Sequence, residues 1–378
     1  MGTTISNFWH LKEQRAVATA FLALAVSFGA WITRLPELQQ CLELSDGKLG
    51  TALFCLPIGA VTLLPFYSRL IQRLTERKAT QLGLLLLFSG LLLTTLAPTF
   101  PFFMATLYIT GLGIGLTDVS MNAVAAAIER QRAVQIMSAC HGFFSIGGVI
   151  GALWSMLAIR FSLALFTELA VVMALFALML FIQRGHLLNS LVEKESKSFS
   201  WPPKAIIGLA IIGICTLMAE GGITDWSTIY MERAYETKGY LAGMGFAGFS
   251  FMMAMGRFFG DAFILKYSGM KLIRFGVSLG VVGLLLIQLP YVAFGILGFS
   301  LAGLGLSLVV PIIFGKAAKT KGISSAKGLA SVASAGYIGW LVGPVTIGYV
   351  SEWQGLNISF AFITGLCVVA ILMSFRID

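Results

Sequence analysis

The stretch from Thr110 to Glu129, TGLGIGLTDVSMNAVAAAIE, governs how the rest of the chain reads. It lies in an apolar run long enough to cross a bilayer, which takes about 20 residues, yet it carries Asp118 and Asn122. Four residues apart, these two share one face of a helix. A carboxylate at hydrocarbon depth is costly, and such residues face a bundle interior or a water-filled path. Gly111, Gly113 and Gly115 just before it allow a neighbouring helix to come close. The stretch has the makings of a substrate or proton site in a polytopic membrane protein.

Composition agrees. Of 378 residues, 57% are hydrophobic and 11% charged, against about 25% charged in soluble domains. A net charge of +9 would suit nucleic acid only if the basic residues clustered on one soluble face. They fall in short loops between apolar runs instead, so no nucleic-acid partner is expected. The five cysteines lie mostly within the apolar runs and imply no disulfide framework, and no Cys/His spacing suits a metal. The run Ala16 to Trp31 is too long for a signal-peptide core and reads as a retained first span.

Apolar length predicts twelve membrane helices, near 16–34, 47–70, 80–97, 101–128, 136–159, 163–183, 204–230, 241–265, 271–289, 291–315, 328–350 and 356–375. Lys and Arg gather in alternate loops, which puts both termini in the cytoplasm. A hydrophilic linker at 184–203 separates a first six-helix bundle, 1–183, from a second, 204–378. The halves look like repeats: at one constant offset, Gly111 and Gly113 match Gly303 and Gly305, Gly147 and Gly151 match Gly339 and Gly343, and Gly29 matches Gly221. Two parallel repeats with a site near the midplane form a transporter architecture. No nucleophile–base arrangement or phosphate-cradling loop occurs in a soluble segment, so an enzyme is not expected.

Twelve spans, a central linker and a basic loop after span 2 resemble the major facilitator superfamily. That family marks the loop with Gly-x-x-x-Asp-Arg-x-Gly-x-Arg-Lys/Arg. Here Arg69, Arg73, Arg77 and Lys78 are basic, while Ser68, Gln72 and Thr75 stand for Gly, Asp and Gly. The second half keeps Gly256, Arg257, Gly260 and Asp261, and Arg257 with Asp261 would make an ion pair along one helix. More narrowly the chain is similar to the bacterial YbjJ-like branch, related to fucose and other sugar permeases. Trp31-x-x-Arg34-x-Pro36, Asp118-Val-Ser-Met-Asn122 and Met137-Ser-Ala-Cys-His141-Gly142 carry this, with Ala219-Glu220-Gly221 and Asp225-Trp226-Ser227 in span 7. The resemblance implies a carrier of the bacterial inner membrane, proton-coupled or facilitative. Span 5 lacks the proline of the drug-antiporter pattern.

Asp118, Asn122 and His141 fall at one depth and could form a proton site, or a hydrogen-bonded tie between spans 4 and 5. Glu220, mid-span in span 7, reads as a second proton site or a fixed ion pair. Arg34, at the outer end of span 1, could pair with Asp225 or Glu220 as an outer gate or as a permanent tie. Tyr337 and Trp340 lie deep in span 11 and could stack on a sugar ring, whereas Trp31 and Trp226 suit an interfacial aromatic belt. Glu168 is expected to pack near the interface.

These readings converge on a monomeric carrier for a small polar solute, such as a sugar or sugar derivative. It would work by alternating access, with a proton gradient and no cofactor, through Asp118 assisted by His141 or Glu220. A proton-driven exporter of drugs or metabolites uses the same residues in reverse. A solute receptor would call for a longer docking segment than the linker.

Overall fold

A computed structural model describes residues 11–132, 134, 136–186, 202–237 and 239–377. The expected linker therefore lies mostly outside the described residues. Helices begin and end where proline, glycine and polar residues interrupt the apolar runs. α1 (Lys12–Thr33) stops at Arg34, and Pro36 opens the short α2 (Leu35–Cys41). Span 2 is broken into α3 (Asp46–Leu53) and α4 (Cys55–Thr62). Pro57 has no N–H for the carbonyl of Leu53, so the helix is interrupted there. Ser45 caps α3 by accepting from the Lys48 N–H.

α5 (Tyr67–Thr94) contains a non-helical residue, Thr75, with φ 64° and ψ 155°. α6 (Phe100–Arg132), α7 (Met137–Arg160) and α8 (Leu165–Ile182) complete the first six spans. The second half holds α9 (Ile207–Ala234), the turn α10 (Gly239–Ala242), α11 (Met244–Lys266) and α12 (Gly269–Leu286). Span 10 is again two helices, α13 (Val292–Leu306) and α14 (Val309–Ala318), because Pro311 cannot donate to Ser307. α15 (Ser325–Gln354) and α16 (Leu356–Phe375) end the chain.

Nine helical stretches among the described residues are long and apolar enough to cross a membrane. The other three expected spans are occupied by α3 with α4, by α5 and by α11. The fold is the all-α, twelve-span architecture expected from the sequence.

The helices fall into two compact units. The first comprises the described parts of Met1–Leu42 and Cys55–Glu195, the second Glu43–Phe54 and Ser196–Asp378. α3 thus packs with the second half of the chain, although the sequence assigns it to the first bundle. Gly50 and Gly348 make this seam: a Cβ on Gly50 would lie 3.1 Å from the Gly348 Cα.

The internal repeat is realised as matched contacts. In the first unit, Gly111 packs on the carbonyl of Leu56 in α4 and Gly113 on the backbone of Gly83 and Leu87 in α5. In the second, Gly303 packs on Phe249 of α11 and Gly305 on Gly276 and Gly280 of α12. Each glycine leaves room only for a partner's backbone, the close approach on which membrane helix pairs depend. The α1–α7 seam, where Gly29 meets Gly148, repeats as α9–α15, where Gly221 meets Trp340. Trp340 therefore stands at the position that Gly148 holds in the first half.

Candidate functional site

Each unit carries an acid in the interior of a long helix. At a rise of about 1.5 Å per residue, Asp118 of α6 and Glu220 of α9 are both some 20 Å or more from either end of their helices.

In the first unit Asp118 and Asn122 are half-buried. The Asn122 amide donates to the Asp118 carbonyl oxygen at 2.8 Å and to its carboxylate at 3.1 Å. The carboxylate is thereby held along its own helix by a partner that cannot take its proton. The Tyr67 hydroxyl of α5, buried and without a hydrogen-bond partner among the described residues, lies within electrostatic reach of Asp118 and Glu76. His141 is exposed on α7 and sets its ring edge-on against Phe21 of α1, with centroids 5.5 Å apart. Of the three residues expected at one level, the structure joins Asp118 to Asn122 and gives His141 an aromatic contact on α1.

Arg34, expected to act as an outer gate or a permanent tie, occupies the turn between α1 and α2, beside the first turn of α8, with ion-pair partners in the first unit. Its guanidinium lies 2.8 Å from Glu37 and 3.0 Å from Glu168, and donates to the Leu163 carbonyl at 2.5 Å. Glu168, expected near the interface, is fully buried opposite Arg34. Trp31 and Trp226 are also fully buried, so neither belongs to an interfacial belt. The Trp31 indole donates to the Thr94 hydroxyl at 3.0 Å.

In the second unit Glu220 accepts a hydrogen bond from Arg257 of α11 at 3.2 Å, the two side chains being 21% and 37% exposed. The sequence also pairs Arg257 with Asp261. The structure shows Arg257 engaged with Glu220, and the Asp261 side chain lies outside the described residues. Trp340 packs on Gly221, the residue after Glu220: a Cβ there would sit 2.7 Å from the indole Cδ1. Tyr337, one turn before Trp340, is 52% exposed. Asp225 is buried and has no ion pair among the described residues.

A polar clasp that the sequence did not reveal holds α3. Asp46 accepts two bonds from Arg233 at the end of α9, at 2.8 and 2.9 Å, and one from the Ser351 hydroxyl. Glu352 of α15 accepts from the Gly47 N–H at 2.7 Å and the Ser45 hydroxyl at 2.9 Å. Residues so far apart in sequence give no spacing signal. Among the described residues no group of three or more His, Cys, Asp or Glu could hold a metal.

A sequence model of the Major Facilitator Superfamily matches residues 15–322. The chain belongs to this superfamily. Its relatives within the major facilitator superfamily include an uncharacterised MFS-type transporter of Yersinia pestis, 27% identical over 96% of this chain and 94% of the relative. The membrane protein MosC of Rhizobium meliloti is 29% identical over 96% of this chain and 89% of its own. Among solved structures, the nucleoside transporter NupG superposes with a TM-score of 0.72 at 16% identity, over 97% of this chain and 98% of its own. A bacterial homologue of the human lysosomal transporter Spinster has a TM-score of 0.72 at 12% identity, over 96% and 95%. At such identities these two structures speak for the fold alone. The protein is a multi-pass membrane transporter of the major facilitator superfamily and not an enzyme.

Proposed function

We propose that the chain is a proton-coupled secondary carrier. It moves a small polar solute, such as a sugar or sugar derivative, across a bacterial inner membrane by alternating access of its two bundles. It acts as a monomer with both termini in the cytoplasm. The observation that carries this reading is the pair of membrane-interior acids, Asp118 held by Asn122 and Glu220 held by Arg257. Ionisable residues at such depth mark substrate and proton pathways by default. In this reading proton coupling runs through Asp118, assisted by His141 or Glu220. Tyr337 and Trp340 offer aromatic surface to the solute. Arg34, bound to Glu168 and Glu37, serves as a fixed tie of the first bundle rather than a gate.

The test is uptake into proteoliposomes under an imposed pH gradient, compared with solute exchange at equal pH. Asp118→Asn should abolish accumulation while leaving exchange. Loss of both to the same degree would remove Asp118 from coupling. An exporter would use the same residues with the solute moving against the proton, and the sign of the internal pH change on adding solute separates the two.

A further inference from the structure

We propose that Arg257 binds the carboxylate of an anionic substrate, and that Glu220 is the counter-ion this substrate displaces. The inference rests on the carrier reading above and names its substrate class: small carboxylate-bearing solutes, with sugar acids as the type.

The second unit's ion pair is built to exchange, and comparison with Arg34 shows how. Arg34 is 5% exposed and is engaged by Glu37, Glu168 and the Leu163 carbonyl. Arg257 is 37% exposed and, among the described residues, has a single acceptor, Glu220 Oε1, at 3.2 Å. A guanidinium has five N–H donors, and charge-assisted bonds are typically about 2.7–2.9 Å long. The contact to Glu220 is therefore long and made on one corner, and the guanidinium stays 37% exposed.

The exposure of Arg257 is not toward the apolar surface of its helix. At about 3.6 residues per turn, Arg257 stands on the side of α11 opposite Phe251 and Phe259, which are exposed. The guanidinium lies about 13 Å from the nearer end of α11 at the helical rise. A cation at that depth needs a partner of opposite charge or a watery path. Beside the pair, Trp340 packs on Gly221, and Tyr337 lies one turn away and half-exposed. Arginine's planar fork matches a carboxylate with two parallel bonds, while an aromatic wall suits the ring that carries it. A substrate carboxylate can thus replace a one-point contact with a two-point one.

Displaced from its cation, Glu220 takes one proton from water. One anion and one proton enter together, and the site keeps the same net charge before and after. Of the ionisable groups on the helices packed against α9, Asp261 and Lys266 are on α11, Lys316 on α14, Lys327, Tyr337, Tyr349 and Glu352 on α15, and Cys367 on α16. Asp225 is on α9 itself, more than a turn away.

The test uses the full-length protein in liposomes loaded with a pH-sensitive dye. The probes are glucuronate, galacturonate and gluconate, with glucose, galactose and inositol as neutral counterparts. Wild type should acidify the lumen with at least one acid and with none of the neutral solutes, and alkalinisation would contradict the joint entry of anion and proton. Arg257→Gln should lower that initial rate about tenfold or more, the size of one lost charge-assisted contact, while eluting as a monodisperse, thermally folded species. Glu220→Gln should still move the acid but without its proton, so that entry becomes dependent on an imposed membrane potential. Acid movement that survives Arg257→Gln, or a Glu220→Gln variant that still carries a proton, overturns the inference. So does movement of neutral sugars that survives Arg257→Gln, which leaves the carrier reading standing. Folded wild-type protein that moves no solute in either group counts against both.

Discussion

Arg34 and Glu168 face each other inside the first unit, with the guanidinium Nε 3.0 Å from the carboxylate and the side chains 5% and 0% exposed. The pair joins the end of α1 to the first turn of α8. Removing one partner of such a pair leaves a buried charge uncompensated and costs about 3–5 kcal/mol. Glu168→Ala should therefore lower the thermal midpoint of the detergent-solubilised protein by many degrees, and Arg34→Met should do the same. The double variant Arg34→Met with Glu168→Leu should recover much of the loss. A double variant that loses the full sum of the two singles would show that the charges do not act as a pair.

The clasp on α3 predicts a local effect. Asp46 and Glu352 together take the polar hydrogens of Arg233, Ser351, Ser45 and Gly47. Asp46→Asn weakens the bond to Arg233, a contact worth about 1 kcal/mol for a partly exposed charged pair. Amide exchange across Glu43–Phe54 should speed up several-fold, while exchange in α12 and α16 stays as in wild type. Unchanged protection of α3 would mean that Gly50 against Gly348 holds the segment unaided.

Thr75 predicts a stabilising change. Its φ of 64° and ψ of 155° lie in a region that glycine enters freely and a β-branched residue does not. The superfamily's loop pattern has Gly at this place. Thr75→Gly should raise stability by about 1 kcal/mol, read as a thermal midpoint a few degrees higher. A midpoint that falls would show that the threonine side chain makes contacts worth more than the strain.

The matched glycine seams predict matched sensitivities. A Cβ on Gly111 or Gly303 would run into the backbone of Leu56 or Phe249, whereas Gly365 has nothing within 4 Å. Gly111→Val and Gly303→Val should each cost about 1–3 kcal/mol through overpacking, and Gly365→Ala should be silent. Equal tolerance at all three would dissociate the seams from stability.

Much of this fold could be read from the sequence because its physics is repetitive. Apolar length marked the spans, and glycines at one offset marked the helix seams and the repeat. Proline breaks within spans 2 and 10 were also latent in the sequence, at Pro57 and Pro311, but hydrophobic length alone reads across them. What could not be read is the rotation of one helix against another. Arg34 finds Glu168 because of where α8 begins beside the α1–α2 turn, and Arg257 finds Glu220 on another helix. Trp31 and Trp226 looked interfacial by position along their spans, yet packing seals them completely. The grouping of Glu43–Phe54 with the second unit depends on contacts with residues some three hundred positions away, which no local pattern encodes. Asp118 with Asn122 was legible because both lie on one helix face.

The most direct test of coupled transport is solute-driven proton movement in liposomes holding a pH-sensitive dye, wild type against Asp118→Asn. The account predicts that adding one class of small polar solute changes the internal pH with wild type, and that the change disappears in the variant. Solute movement with no proton flux in wild type, or a pH change undiminished in Asp118→Asn, would contradict it.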